Sequence, residues 1–101
     1  MAVEVSFARR AQEDFTEIAE YLEARNLAAA ETVTRRIEKA IRLLAEHPHM
    51  GPLVPSTGQP EMRKMSIPPY VVFYRLRANQ LEIARILHSS RDIKNEELFH
   101  E

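Results

Sequence analysis

The sequence predicts an α+β fold, with an N-terminal strand followed by an antiparallel helical hairpin packed on a three- to four-stranded antiparallel sheet. Three observations predict it. Tyr70, Val71, Val72, Phe73 and Tyr74 are five successive β-branched or aromatic residues, side chains that suit a strand buried on both faces. Arg77, Ala78, Asn79 and Gln80 then interrupt the apolar run, and Asn79 tolerates the left-handed backbone of a tight hairpin leading into Leu81–Leu87. Upstream, two segments repeat apolar residues at steps of three and four, the spacing of amphipathic helices.

Each element follows in order. Val3, Val5 and Phe7 alternate with Glu4 and Ser6, a half-buried strand whose apolar side turns to the core. From about Ala8, the residues Ala11, Phe15, Ile18, Ala19 and Leu22 form one helical stripe, with Glu13, Glu17, Glu20 and Glu23 outside it. Arg25 and Asn26 suit the last turn and left-handed exit of that helix, the cation answering its negative end. A second helix is expected from about Ala28 to Glu46, with Ala30, Val33, Ile37, Ala40, Ile41 and Leu44 as its stripe. Its exposed face carries Glu31 with Arg35 and Glu38 with Arg42 at ion-pair spacing. His47 to Pro60 holds four of the six prolines and both glycines and reads as a loop. Met62 to Ile67 alternates as a strand, with Met65 and Ile67 on one face, and Pro68 and Pro69 close it. Strict alternation in the last strand puts Leu81, Ile83, Arg85 and Leu87 on one face and Glu82, Ala84, Ile86 and His88 on the other. Asp92 to Glu101 reads as a short helix capped by Asp92, with Leu98 and Phe99 available for packing.

A chain of 101 residues is one domain, residues 1–101, large enough for a single core. Apolar residues at 45% and charged residues at 29% are ordinary for a globular protein and exclude an intrinsically disordered one. With no cysteine, disulfides and thiol nucleophiles are excluded. Neither a signal peptide nor a membrane span is apparent, so a cytoplasmic location is expected and no membrane partner. The net charge of −1 argues against coating nucleic acid by bulk electrostatics, and no direct sequence-specific nucleic-acid binding is expected. Charge is nevertheless uneven. Between Glu61 and Arg91, six basic residues stand against two acidic ones, so one end of the molecule is expected to be positive.

Chemistry is therefore sought where the last strand runs out. His88 there reads first as a structural histidine and second as a catalytic base. Arg75, Arg77 and Arg85 read either as strand arginines paired with Glu82 and Glu61 or as a cluster for an anionic partner. Asp14, beside Glu13 and Glu17, is taken as part of a solvated helix face and assigned no chemistry. Ser89 and Ser90 beside His88 are set aside as a hydrolase pair, because neighbours on a strand point to opposite faces. His47 and His49 lack further ligands near in sequence, so no metal is expected, and the Gly51 and Gly58 spacing supports no nucleotide cofactor.

Ala11, Asp14 and Phe15, then Ile18, Tyr21 and Leu22, then Leu44, Pro48 and Gly51 open an ordered set that spans nearly the whole chain. Arg63, Tyr70, Tyr74 and Arg75, then Ile86, Leu87, His88, Arg91 and Asp92, complete it. In this set the chain resembles the RelE/ParE superfamily of toxins from type II toxin–antitoxin systems. The resemblance implies a cognate antitoxin, ParD-like or similar, in a hetero-oligomer with the toxin, and no cofactor. ParE-like members poison DNA gyrase, whereas RelE-like members cut messenger RNA on the ribosome. RNA cleavage needs a base for the 2′-hydroxyl and cations for the phosphate. Here His88 as base, with Lys64, Arg63, Arg75, Arg85 and Arg91 as cations, would form that set. The segment after His88 contains no tyrosine, and Lys64 is the sole lysine on the sheet, so the ParE-like reading comes first. It implies no catalytic group, a gyrase-facing sheet end with His88, Arg91, Arg85 and Arg75, and an antitoxin surface with Phe15, Ile18, Tyr21 and Leu22. A non-toxic interaction module on the same scaffold is the third reading.

Overall fold

In this computed structural model, which describes residues 2–55 and 61–90, the order is β1 (Glu4–Phe7), α1 (Arg9–Glu23), α2 (Leu27–Glu46), β2 (Arg63–Ile67), β3 (Tyr70–Arg77) and β4 (Gln80–His88). The helix expected from Asp92 lies outside the described residues. The strands form one sheet of order β1-β4-β3-β2, with both helices on one face. The antiparallel expectation holds for β2, β3 and β4. β1 joins β4 in parallel, Val5 opposite Leu81 and Phe7 opposite Ile83, so the sheet is mixed.

Two apolar layers follow. Ala11, Ile37, Ile41 and Leu44 from the helices meet Ile67, Tyr70, Val72, Tyr74, Leu81, Ile83 and Ile86 from the sheet. On the far face Met62, Phe73, Ala84 and Leu87 pack with Val54 and Val71. The strict alternation expected of β4 fails at Ala84. Phe73 pairs with Arg85 but Tyr74 pairs with Ile83, so Ala84 is an extra residue, a β-bulge. The bulge shifts the pleat, so Ile86 follows Leu81 and Ile83 into the helix-side core and Leu87 turns to the far face.

Local chemistry sets the connections. The two central residues of the β3–β4 turn, Ala78 and Asn79, both have left-handed backbones, φ 52° and 62°, the pairing of a type I′ hairpin. Asn26 is not the exit residue of α1. Its backbone is extended and its side chain accepts the Ala29 N–H at 3.1 Å, capping α2, because only three residues join the helices. Arg25 does meet the carbonyl end of α1, donating to the Tyr21 carbonyl at 3.1 Å. The loop after α2 is held against β2 and β3. The Gly51 N–H donates to the buried Tyr74 hydroxyl at 2.7 Å, and Arg63 donates to the carbonyls of His49 at 3.1 Å and Gly51 at 2.7 Å.

Candidate functional site

The arginines expected to face a target are largely internal. Arg85 is 4% exposed and donates through Nε and Nη2 to the two oxygens of Asp14 at 2.8 and 3.0 Å, a bidentate pair. Asp14 also accepts the Ile86 N–H at 2.9 Å. β1 stops opposite Ile83, and the carboxylate serves the strand edge beyond that point. Asp14 is therefore no solvated residue but a pin between α1 and β4. The signal was present in the sequence: Asp14 stands three residues after Ala11 and four before Ile18, inside the apolar stripe, and Arg85 interrupts an apolar strand.

Arg75 is also buried, donating through Nε to Glu82 at 2.6 Å, and Arg77 reaches the same carboxylate at 3.8 Å. Arg63 is committed to the two loop carbonyls. Both Arg85 and Arg75 are thus buried and already hold a carboxylate, Arg85 through two nitrogens and Arg75 through one, rather than standing at the surface. Arg91 lies outside the described residues.

His88 and Lys64 are exposed, but on opposite faces. Met65 and Ile67 pack under the helices, so Lys64 between them points to the far face. The His88 ring stands edge-on to Tyr70, 5.6 Å between centroids, and Tyr70 belongs to the helix-side core. The Nδ1 atom of His88 accepts the Ser90 N–H at 3.1 Å, so the neutral ring carries its proton on Nε2. The Ser90 hydroxyl also lies 2.8 Å from Nδ1. Opposite pointing holds only along a strand; β4 ends at His88, and the turn through Ser89 brings Ser90 back to the ring. The arrangement caps the end of β4 locally: among the described residues no charged side chain hydrogen-bonds to His88.

The larger surface feature is apolar. Val5 and Phe7 face the helices as expected yet remain 38% and 37% exposed, because two helices do not fully cover an edge strand. With Phe15, Ile41, Gln12 and Thr16 they line an open groove of about 700 Å³. Of the four residues expected to meet an antitoxin, Phe15 lines this groove, while Phe15 and Ile18 both pack against the core and Leu22 is half-buried. Tyr21 is 55% exposed and lies under the Arg25 guanidinium, 3.7 Å from the ring centroid. The sequence did not single out Val5, Phe7 and Ile41, since alternation and periodicity say which face is apolar but not how far it is covered.

Among the described residues no cluster of three or more histidines, aspartates or glutamates is placed to hold a metal ion, and no helix is long and apolar enough to cross a membrane.

Against known proteins, residues 5–93 match the family described as ParE toxin of type II toxin-antitoxin system, parDE. Toxin RelE2 of Caulobacter vibrioides is 33% identical over 89 residues, covering 87% of this chain and 97% of the relative. Toxin ParE1 of the same organism is 33% identical over 94 residues, covering 86% and 90%. Two solved structures share the fold. The chromosomal ParDE TA system from P. aeruginosa superposes with a TM-score of 0.71 at 19% identity, over 86% of this chain and 96% of that one. The toxin-antitoxin complex RelBE2 from Mycobacterium tuberculosis gives 0.60 at 22% identity, over 87% and 99%.

Proposed function

Because this chain belongs to the ParE toxin family of type II toxin–antitoxin systems, we propose that it is a toxin that inhibits DNA gyrase by surface contact and is neutralised by a cognate antitoxin. The observation that carries the choice of target is the fate of the cations. Ribonuclease chemistry asks for a base and several cations around one phosphodiester. Here Arg85 is bound to Asp14, Arg75 to Glu82 and Arg63 to loop carbonyls, while His88 and Lys64 stand on opposite faces. That inventory supports a binding protein rather than a nuclease. The sheet end at His88 is the proposed gyrase-facing region.

The antitoxin's place is the groove over Val5, Phe7 and Phe15, a row of half-exposed apolar side chains suited to an amphipathic segment. Phe7→Ala is expected to weaken antitoxin binding about tenfold, the effect of losing one apolar anchor, and to weaken it by more than it weakens folding of the free chain. Equal losses in both would make Phe7 plain core. For the target, induction of the chain alone should arrest growth and relax a resident plasmid, and co-expressed antitoxin should reverse both. Growth arrest with normal plasmid supercoiling and cut messages would overturn the gyrase reading.

A further inference from the structure

Two features act together on the end of β4. The extra residue at Ala84 changes the parity of the strand: Leu81 and Ile83 before it and Ile86 after it all lie in the helix-side core. His88 follows Ile86 onto that side, edge-on to Tyr70. Without the bulge, alternation would put His88 on the far face, which Lys64 occupies. The backbone turns with the side chains. The Ile83 carbonyl points to the sheet edge and accepts the Ala8 N–H at 2.9 Å, so alternation would next present the Arg85 amide there; the bulge presents the Ile86 N–H instead. β1 has ended opposite Ile83, and no strand meets that amide among the described residues. Asp14 on α1 does, at 2.9 Å, and the same carboxylate holds Arg85, the residue directly after the extra one. The bulged stretch is therefore gripped from α1 by one backbone and one side-chain group.

From this arrangement we infer that Asp14 and Arg85 are positioning residues for the target-facing end of the sheet: by holding the bulged stretch of β4 against α1, they keep His88 and Ser90 on its helix side. The inference rests on the reading of the His88 end as the region that meets the target. Burial of Ile86 fixes the parity of the strand but not the path of the chain beyond it. His88 is exposed, and its ring is placed by the edge contact with Tyr70. Ser90 travels with that ring, because its N–H donates to Nδ1. Apolar packing can replace a buried ion pair as a source of stability, but it does not supply direction. A guanidinium held by both carboxylate oxygens fixes distance and plane together, and the amide bond to the same carboxylate fixes the rotation of the strand. Bulges stand beside functional sites for this reason, since they re-aim a side chain.

The experiment compares the full wild-type chain with the Asp14→Leu/Arg85→Met double variant, which trades the ion pair for apolar packing. A cooperative thermal transition establishes that the variant folds; if it does not fold, Arg85→Lys takes its place, keeping the charge but offering a point contact instead of the fork. Two quantities are read: the nuclear Overhauser cross-peak between the Tyr70 and His88 rings, and the concentration of chain that half-inhibits gyrase supercoiling. The expected result is loss of the cross-peak together with a rise of at least tenfold in that concentration. A cross-peak as strong as in wild type would overturn the inference, whatever the inhibition. Loss of the cross-peak with undiminished inhibition would overturn it as well, since the placement of His88 would then be immaterial to the target. Wild-type chain that leaves gyrase untouched would overturn the target reading instead, and the cross-peak alone would then decide whether the pair places His88.

Discussion

Asp14 decides more of this molecule than any residue on its surface. Its two oxygens take Arg85 and the Ile86 N–H together, so removing the charge leaves a buried guanidinium without its counter-ion and one acceptor oxygen where there were two. Asp14→Asn is expected to lower stability by about 3 kcal/mol, in the range for breaking one side of a buried pair, read from the denaturant midpoint. Replacing both residues with apolar ones of similar volume should recover much of that loss; a doubly replaced chain as unstable as Asp14→Asn would contradict the assignment. A second residue-scale test concerns Gly51. A methyl group there would collide with the Lys64 carbonyl oxygen and the Tyr74 hydroxyl, and neither can retreat within the packed sheet. Gly51→Ala is therefore expected to cost about 2 kcal/mol or more, as overpacking does.

Tyr74 adds a pH dependence with a definite sign. Burial pushes its phenol above the ordinary value of 10.0, partly offset by the Gly51 N–H and the nearby Arg63, and burial likewise raises Tyr70. A group whose folded pKa is raised stabilises fully below its unfolded pKa and loses that contribution as pH rises. Stability should thus fall above about pH 10 as the unfolded chain ionises first, and Tyr74→Phe should flatten that fall. An unchanged alkaline slope in Tyr74→Phe would assign it elsewhere.

Turns and strand ends carry the lessons at the next scale up. The type I′ turn places Ala78 at φ 52°, a backbone that costs an L residue roughly 1 kcal/mol and glycine nothing comparable. Ala78→Gly should accordingly raise the denaturant midpoint, by less than about 1 kcal/mol. No gain would mean that the turn relaxes in solution. The same hairpin shows what a sequence holds and what it withholds. Its two strands, its turn and the left-handed Asn79 were legible because alternation, apolar runs and turn residues are local. The bulge at Ala84 was not, since an extra residue is defined only against the partner strand, and it moves Ile86 and Leu87 to faces opposite those that counting assigns. For the same reason Asn26 reads as an exit from α1 when it caps α2, and Asp14 reads as solvated when its partner lies 71 residues away. Among the candidate site residues, the types were legible and their destinations were not.

For the whole molecule, the fold uses Arg63, Arg75 and Arg85 to hold itself together and leaves two open grooves on its surface. One lies at the β1 edge over Val5, Phe7 and Phe15; the other lies between α2 and the end of β2. The most direct measurement is a DNA gyrase supercoiling and cleavage assay with the purified chain, an antitoxin-blocked control, and messenger RNA on programmed ribosomes in parallel. Loss of supercoiling with accumulation of linear DNA, while the message stays intact, is the predicted result. Untouched gyrase together with message cleavage that disappears in His88→Ala would contradict it, and would make the exposed His88 ring a catalytic group.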